Sequence, residues 1–247
     1  MVPSCRVLFQ NTLLIPKNNR LWHSERRRFA IAMETLVIHD QSLELLPEKA
    51  AHLPDQKALL ISDVHLGKSE TFQRFGIPIS SQVNQATLNR LRQACDRTGA
   101  QQLFILGDLF HAKVGMVDEV IDSWLKFLAE TQLEAHLILG NHDRGLLDFL
   151  SQLSVTCYTT PIDFGPWVLS HEPLPMSSGV NICGHIHPCV RIGRGSDRLR
   201  LPCFYWEKQL NRLTLPSFGE FTGGYDVAIG HHATAYVVAE DVVTPFG

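Results

Sequence analysis

The residues best equipped for chemistry come in short polar pieces, each just after an apolar run. Asp63 and His65 follow residues 58–61, Asp108 follows 103–106, Asn141 and His142 follow 135–139, His171 follows 167–169, and His185 with His187 follow 180–183. Mixed nitrogen and oxygen donors of this kind, with no thiolate at metal-ligand spacing, suit manganese, iron or zinc. In Asp63-Val64-His65 and His185-Ile186-His187 the donors are one residue apart, which on an extended strand turns both side chains to the same face. Each pair is therefore expected to grip a shared site. An aspartate has two oxygens and can bridge two ions about 3.5 to 4 Å apart, the separation in two-metal sites that hydrolyse phosphate esters. Asp108, central in the order and preceded by Gly107, is the expected bridge. Taken singly, each piece reads as a turn or helix cap, because Asp, Asn and Gly are ordinary turn residues. Recurrence reverses that reading, since six of the twelve histidines (His65, His111, His142, His171, His185, His187) fall in or beside these pieces.

The elements that must position them alternate in type. Residues 36–38 and 43–46 read as a hairpin around Asp40-Gln41-Ser42, followed by a proline-bounded loop to Lys57. Residues 58–61, 103–106 and 135–139 are continuous apolar runs of the kind that strands covered on both faces show. Between them, residues 85–98 carry Ala86, Leu88, Leu91, Ala94 and Cys95 at helical spacing up to a stop at Gly99. Residues 117–128 do the same with Val120, Ile121, Trp124, Leu125 and Leu128. This β-α-β-α-β order predicts a largely parallel sheet with helices against it. Beyond about residue 154 short strands dominate, at 167–169, 180–183, 189–192, 199–205 and 234–238, so a second sheet packed on the first is expected. Polar sites at strand carboxyl ends are where open α/β sheets gather ligands.

With 247 residues, 45% of them hydrophobic, the chain suits one good-sized domain. Its net charge of −3 is uneven. Residues 1–32 hold six basic side chains against Glu25, and read as a poorly ordered N-terminal extension, with Met33 opening the domain that runs to residue 247. Of the 22 basic and 25 acidic residues, 16 and 24 then remain for that domain, a balance of −8. Bulk charge will not hold nucleic acid there, so a basic rim or metal ions must. Six cysteines without C-x-x-C spacing point to a reducing cytoplasm rather than a disulfide framework. No apolar run approaches the roughly 20 residues of a membrane span, and no membrane association is expected.

The motifs resemble those of the calcineurin-like metallophosphoesterases: D-x-H, G-D-x-x-(D/H), G-N-H-(D/E), a lone histidine and G-H-x-H. They stand here as Asp63-Val64-His65, Gly107-Asp108-Leu109-Phe110-His111, Gly140-Asn141-His142-Asp143, His171 and Gly184-His185-Ile186-His187, in order, over about residues 57–190. The resemblance implies an α/β fold, a four-layer αββα sandwich, holding two divalent metal ions. Asp63, His65, Asp108 and His187 would hold the first, and Asp108, Asn141, His171 and His185 the second. His142 would stay off the metals as the catalytic histidine, its proton held by Asp63 or Asp143. His111 would sit behind the ligands or touch substrate. Lys68 and Arg144 directly follow metal-site motifs, where either can reach a phosphate oxygen.

A narrower resemblance, to the bacterial ligase-associated DNA-damage-response endonucleases of the same superfamily, rests on Gly67-Lys68, Phe72, Arg74, Gly76-Ile77-Pro78, Asn141-His142-Asp143-Arg144, Leu215-Pro216-Ser217-Phe218-Gly219 and Thr222-Gly223-Gly224. It implies a manganese-dependent phosphodiesterase acting on DNA, in association with a DNA ligase and a helicase, with iron or zinc as alternative metals. A basic rim at Arg191, Arg194, Arg198 and Arg200 is a further candidate for backbone contact, weighed against a solvated hairpin tip with Phe204, Tyr205 and Trp206 in the core. The competing functions are a phosphatase of phosphoproteins or small phosphate esters, which the same site can serve, and a non-catalytic scaffold, which would be free to lose a ligand although none is lost here.

Overall fold

In the computed structural model, which describes residues 32–193, 198–220 and 222–246, the strand β4 (Ala58–Ile61) shows how the sequence builds the layers. All four of its residues are buried. Leu59 and Ile61 join a core shared with helices, whereas Ala58 and Leu60 join a second core shared with another sheet. Side chains alternate across a strand, so an uninterrupted apolar run is what a strand covered on both faces requires. Its neighbour β5 (Gln102–Ile105) repeats the division, with Leu103 and Ile105 on the helical side and Phe104 on the other.

The first sheet has the order β1-β2-β3-β4-β5-β6-β7, its remaining strands being β1 (Glu34–Ile38), β2 (Gln41–Leu45), β3 (Ala51–Leu53), β6 (Glu134–Ile138) and β7 (Val155–Tyr158). The strands β4 to β7 are parallel, with Ile61 beside Ile105 and Ile105 beside Leu137. The turn between β1 and β2 is His39-Asp40, both at positive φ (51° and 60°), rather than Asp40-Gln41-Ser42. That handedness matches the twist of a two-residue hairpin. Within the expected loop to Lys57 lies β3, too short for a periodic signal. The helices are α1 (Lys68–Arg74), α2 (Gln82–Thr98), α3 (Asp118–Thr131) and α4 (Leu147–Leu150). At the end of α2, Gly99 at φ 64° returns its N–H to the Cys95 carbonyl. Leu88, Leu91, Ala94 and Cys95 of α2 face the core, but Ala86 is exposed and Thr87 takes its place inside. Trp124 and Phe127 of α3 are buried beside them.

The second sheet comprises β8 (Ile162–Phe164), β9 (Trp167–Leu169), β10 (Val180–Cys183), β11 (Pro188–Ile192), β12 (Leu199–Glu207), β13 (Arg212–Thr214), β14 (Tyr225–Asp226), β15 (Ala233–Ala239) and β16 (Val242–Phe246). Trp167, Leu169, Val180, Ile182 and Phe204 pack onto the inner face of the first sheet. The result is a mixed α/β sandwich in which helices cover the first sheet and the second sheet covers its other face. Among the described residues every α-helix precedes residue 151. None is long and apolar enough to cross a membrane. Residues 1–31, read from sequence as a loose extension, lie outside the described residues. Ala32 is tied to the far end of the chain, accepting a hydrogen bond from Val243 (2.8 Å) and donating one to Asp241 (3.3 Å).

Leu60 sits fully buried between the sheets. Its replacement by alanine should cost about 2–5 kcal/mol of stability, read as a lowered urea midpoint; an unchanged midpoint would mean the two sheets do not share this core.

Candidate metal centre

The expected donors lie in loops just beyond strand ends: Asp63 and His65 after β4, Asp108 after β5, Asn141 and His142 after β6, His171 after β9, and His185 and His187 after β10. Parallel neighbours deliver them, β4 to β6 in one sheet and β9 with β10 in the other. The D-x-H and H-x-H spacings work differently from expectation, because neither pair is on a strand. Asp63, His65, Asp108, His185 and His187 have φ of 54°, 51°, 56°, 69° and 54°. Non-glycine residues enter this left-handed region at a cost of about 1–3 kcal/mol each, and persist there where the surrounding structure holds them.

Hydrogen bonds between the loops hold these turns. The N–H groups of Asp63 and His65 donate to the carbonyls of Gly107 (3.0 Å) and Asp108 (2.9 Å). The buried Asp143 carboxylate accepts from the N–H groups of Asp108 (2.6 Å), Leu109 (3.1 Å) and Gly140 (3.0 Å), bracketing two loops. Ser62 bonds the Leu106 carbonyl (3.0 Å) and its own neighbour Asp63. From much later in the chain, the Ser217 hydroxyl and the Gly219 N–H donate to the Asp63 carbonyl (2.9 and 3.0 Å), and the Phe218 N–H donates to Ser62 (2.8 Å). Two glycines leave the space this requires. A Cβ on Gly140 would lie 2.1 Å from Asp108 Oδ1, and one on Gly184 only 1.5 Å from Ser62 Oγ.

On one side of the crevice, Asp63, His65 and His187 present ligand atoms within 4.8 Å of one another. His187 Nδ1 donates to the Gly223 carbonyl (3.1 Å), so Nε2 faces Asp63 Oδ1 at 2.9 Å. That contact lacks hydrogen-bond geometry, and both buried atoms are otherwise unpartnered, as is His65 Nδ1. On the other side, His171 Nδ1 donates to the Leu106 carbonyl (2.9 Å), which leaves a lone pair on Nε2. Around that nitrogen stand Asn141 Oδ1 at 2.9 Å, His185 Nδ1 at 3.1 Å and Asp108 Oδ2 at 3.8 Å. Lone pairs converging without enough protons to share are what a cation resolves, so the donor set fits divalent ions at both places.

Electrostatics agree in direction. Burial drives His65 down to about 3, against the opposing charge of Asp63 and with Lys68, His142 and His187 adding to the effect, so its ring is neutral. Burial pushes Asp63 upward, but His187 beside it and the bond from Ser62 outweigh that and the carboxyl ends below its usual range. Burial raises Asp108, opposed by His171. Asp143 is raised to about 6, by burial first and by the like charge of Asp108.

His142 departs from expectation in its partner. Neither Asp63 nor Asp143 holds it; Nδ1 donates to the carbonyl of His111 (2.7 Å), and Nε2 points toward Asp108 Oδ2 at 3.9 Å. The His111 ring stacks on His142, with centroids 5.2 Å apart, and Phe72 stacks on His111 at 6.1 Å. His65, His111 and His142 thus form a third close group of ligand atoms. Lys68, the first residue of α1, is half-buried beside His65 and His111. Arg144 is 65% exposed and meets Glu172 (3.2 Å). In the arginine rim, Arg191 and Arg200 both pair with Asp226 (2.5 and 2.7 Å), Phe204 is buried, and Arg194 lies outside the described residues. Asp143 and Ser62 were not recognised as loop brackets; the only signal was their adjacency to the motifs.

The calcineurin-like phosphoesterase family matches residues 57–235, and the chain belongs to that family: it is a metal-dependent phosphoesterase, a hydrolase. Among solved structures it is similar to the nuclease MPE of Pseudomonas putida, with 32% identity over 87% of this chain and all of that one, at a TM-score of 0.75. A phosphoesterase from E. coli, Yfce, shares 16% identity over 76% of this chain and 97% of that one, at a TM-score of 0.39. No curated protein sequence matches.

Replacing His171 or His187 with alanine should each lower the manganese bound per chain, measured by titration calorimetry on metal-stripped protein. Unaltered stoichiometry and affinity in both would remove them from the donor set.

Proposed function

We propose that the chain is a two-metal phosphodiesterase acting on nucleic acid, with DNA as substrate. The observation that carries this reading is the pair of lone-pair clusters, Asp63 with His187 and Asn141 with His171 and His185, on either side of Asp108. Asp63, His65, Asp108 and His187 would hold one ion, and Asp108, Asn141, His171 and His185 the other. Bound there, the ions would supply Lewis-acid charge against the negative charge developing on the phosphoryl oxygens and a nucleophile from water.

The chain's own residues do the remainder. The Nδ1–H of His142 is held by the His111 carbonyl, so Nε2 is the atom turned to the crevice, and it is the doubly protonated ring that has an Nε2 proton to deliver to the leaving oxygen. Lys68, half-buried beside His65 and His111, is the nearer of the two expected phosphate contacts; Arg144 would have to leave Glu172 to serve as the other. The likeness to a nuclease supports nucleic acid as substrate. The subgroup motifs support manganese as the metal, DNA repair as the setting, and a DNA ligase and a helicase as functional companions; the cysteines, without C-x-x-C spacing, support a reducing cytoplasm.

Hydrolysis of bis(p-nitrophenyl) phosphate should require added manganese. It should fall about 10²–10⁴-fold in His142→Ala and at least as far in Asp108→Ala, whereas undiminished activity in either variant sinks the role given to that residue. The corresponding monoester, assayed on the same preparation, should be the poorer substrate; a preference for it would favour the phosphatase reading.

A further inference from the structure

Three features meet in one cleft beside the metal centre. It has a volume of ≈ 330 Å³, and its walls include His187, Ser217, Gly223, Arg200, Lys49 and the carboxylate of Glu220. His187 belongs to the expected donor set, and its Nδ1 is held by the Gly223 carbonyl. Ser217 and the 222–224 segment come from the two late motifs, which brace the metal centre without supplying it a donor. Lys49 is new. It lies in the tight turn between β2 and β3, at φ 64°, where its N–H closes on the Leu46 carbonyl (3.0 Å).

The charges around Lys49 are committed elsewhere. Glu48 pairs with Arg97 (2.5 Å), Glu220 pairs with Arg90, and Asp226 is shared by Arg191 and Arg200. Arg200 also donates to the Gly224 carbonyl, so it forms a wall rather than an available donor. Among the described residues, no carboxylate lies within ion-pair distance of the Lys49 ammonium. Burial lowers its pKa to about 8, with Arg90 adding to the effect and Glu220 opposing it, which leaves it mostly charged at neutral pH. A largely desolvated cation whose nearby carboxylate, Glu220, is already paired with Arg90 is costly unless a further anion joins it. The body of the chain carries a balance of −8, so attraction for a polyanion has to be local.

We propose that this cleft is a subsite for a backbone phosphate flanking the bond that is cleaved, with the Lys49 ammonium as its donor. The proposal rests on the phosphodiesterase reading and deepens it. A polynucleotide carries one phosphate per residue, so when one phosphate occupies the metal centre the next must lie a short way along the surface. The cleft opens directly beside His187. A small diester has no neighbouring phosphate and cannot use it.

Two substrates separate the roles: an oligonucleotide and bis(p-nitrophenyl) phosphate, each assayed with manganese on wild type, Lys49→Met, which keeps the alkyl packing, and Lys49→Arg. The Met variant should raise KM for the oligonucleotide at least tenfold more than for the small diester, and Lys49→Arg should restore most of the difference. Its dependence of log kcat/KM on log salt should be shallower by about 0.7 on a single strand, the slope of one phosphate contact. An equal change on both substrates, or an unaltered KM and salt slope on the oligonucleotide, overturns the subsite alone. A wild type inactive on the small diester with manganese overturns the phosphodiesterase reading, and the subsite with it.

Discussion

Three carboxylates, Asp63, Asp108 and Asp143, are buried in one set of adjoining loops, and the arrangement of everything near them follows from that concentration of negative charge. Like charges in a low-dielectric interior raise one another's cost, and each needs its own compensation. Asp143 obtains it from backbone N–H groups and so becomes a loop bracket. Asp108 turns one oxygen to the His142 N–H and the other toward the histidines. Asp63 accepts from Ser62 and the His185 N–H, and leaves Oδ1 facing His187 without hydrogen-bond geometry. The carboxylates nearest the histidines thus keep an oxygen available, and the one farther back is fully engaged.

The sandwich makes this possible because parallel strands in both sheets end at the same crevice. Left-handed backbone then turns the donors inward over very short spans. Five strained residues in three loops would be a heavy burden for isolated turns; here the loops hydrogen-bond to one another, so the conformations are determined by their neighbours. His142 depends on the same scaffolding, since the atom that orients it is the backbone carbonyl of His111.

Much of this was legible in the residues. The strands at 167–169 and 180–183 have the expected bounds, because short apolar runs beside polar loops leave little freedom in where they end. The donor positions followed from their recurrence after such runs. Other parts were not legible for identifiable reasons. Helix α1 buries Ser69 and Thr71 rather than an apolar stripe, so no period marks it. Strand β3 is three residues long, and β7 returns to the first sheet although it follows the last long helix. The partner of His142 is a carbonyl, which any residue could supply. Two arginines of the rim, Arg191 and Arg200, are paired with Asp226, a residue some thirty positions downstream whose proximity only the fold reveals.

The hydrogen bonds from Ser217, Phe218 and Gly219 to the Ser62-Asp63 turn have a consequence in time rather than in space. They join residues 154 to 156 positions apart. Contacts so distant in sequence form late, after the entropy of closing the intervening chain has been overcome. During synthesis from the amino end, the first donor loop emerges long before the segment that secures it. The centre would therefore reach its final geometry only once residues 217–219 have docked on it, and ion capture would follow that docking rather than nucleate the fold.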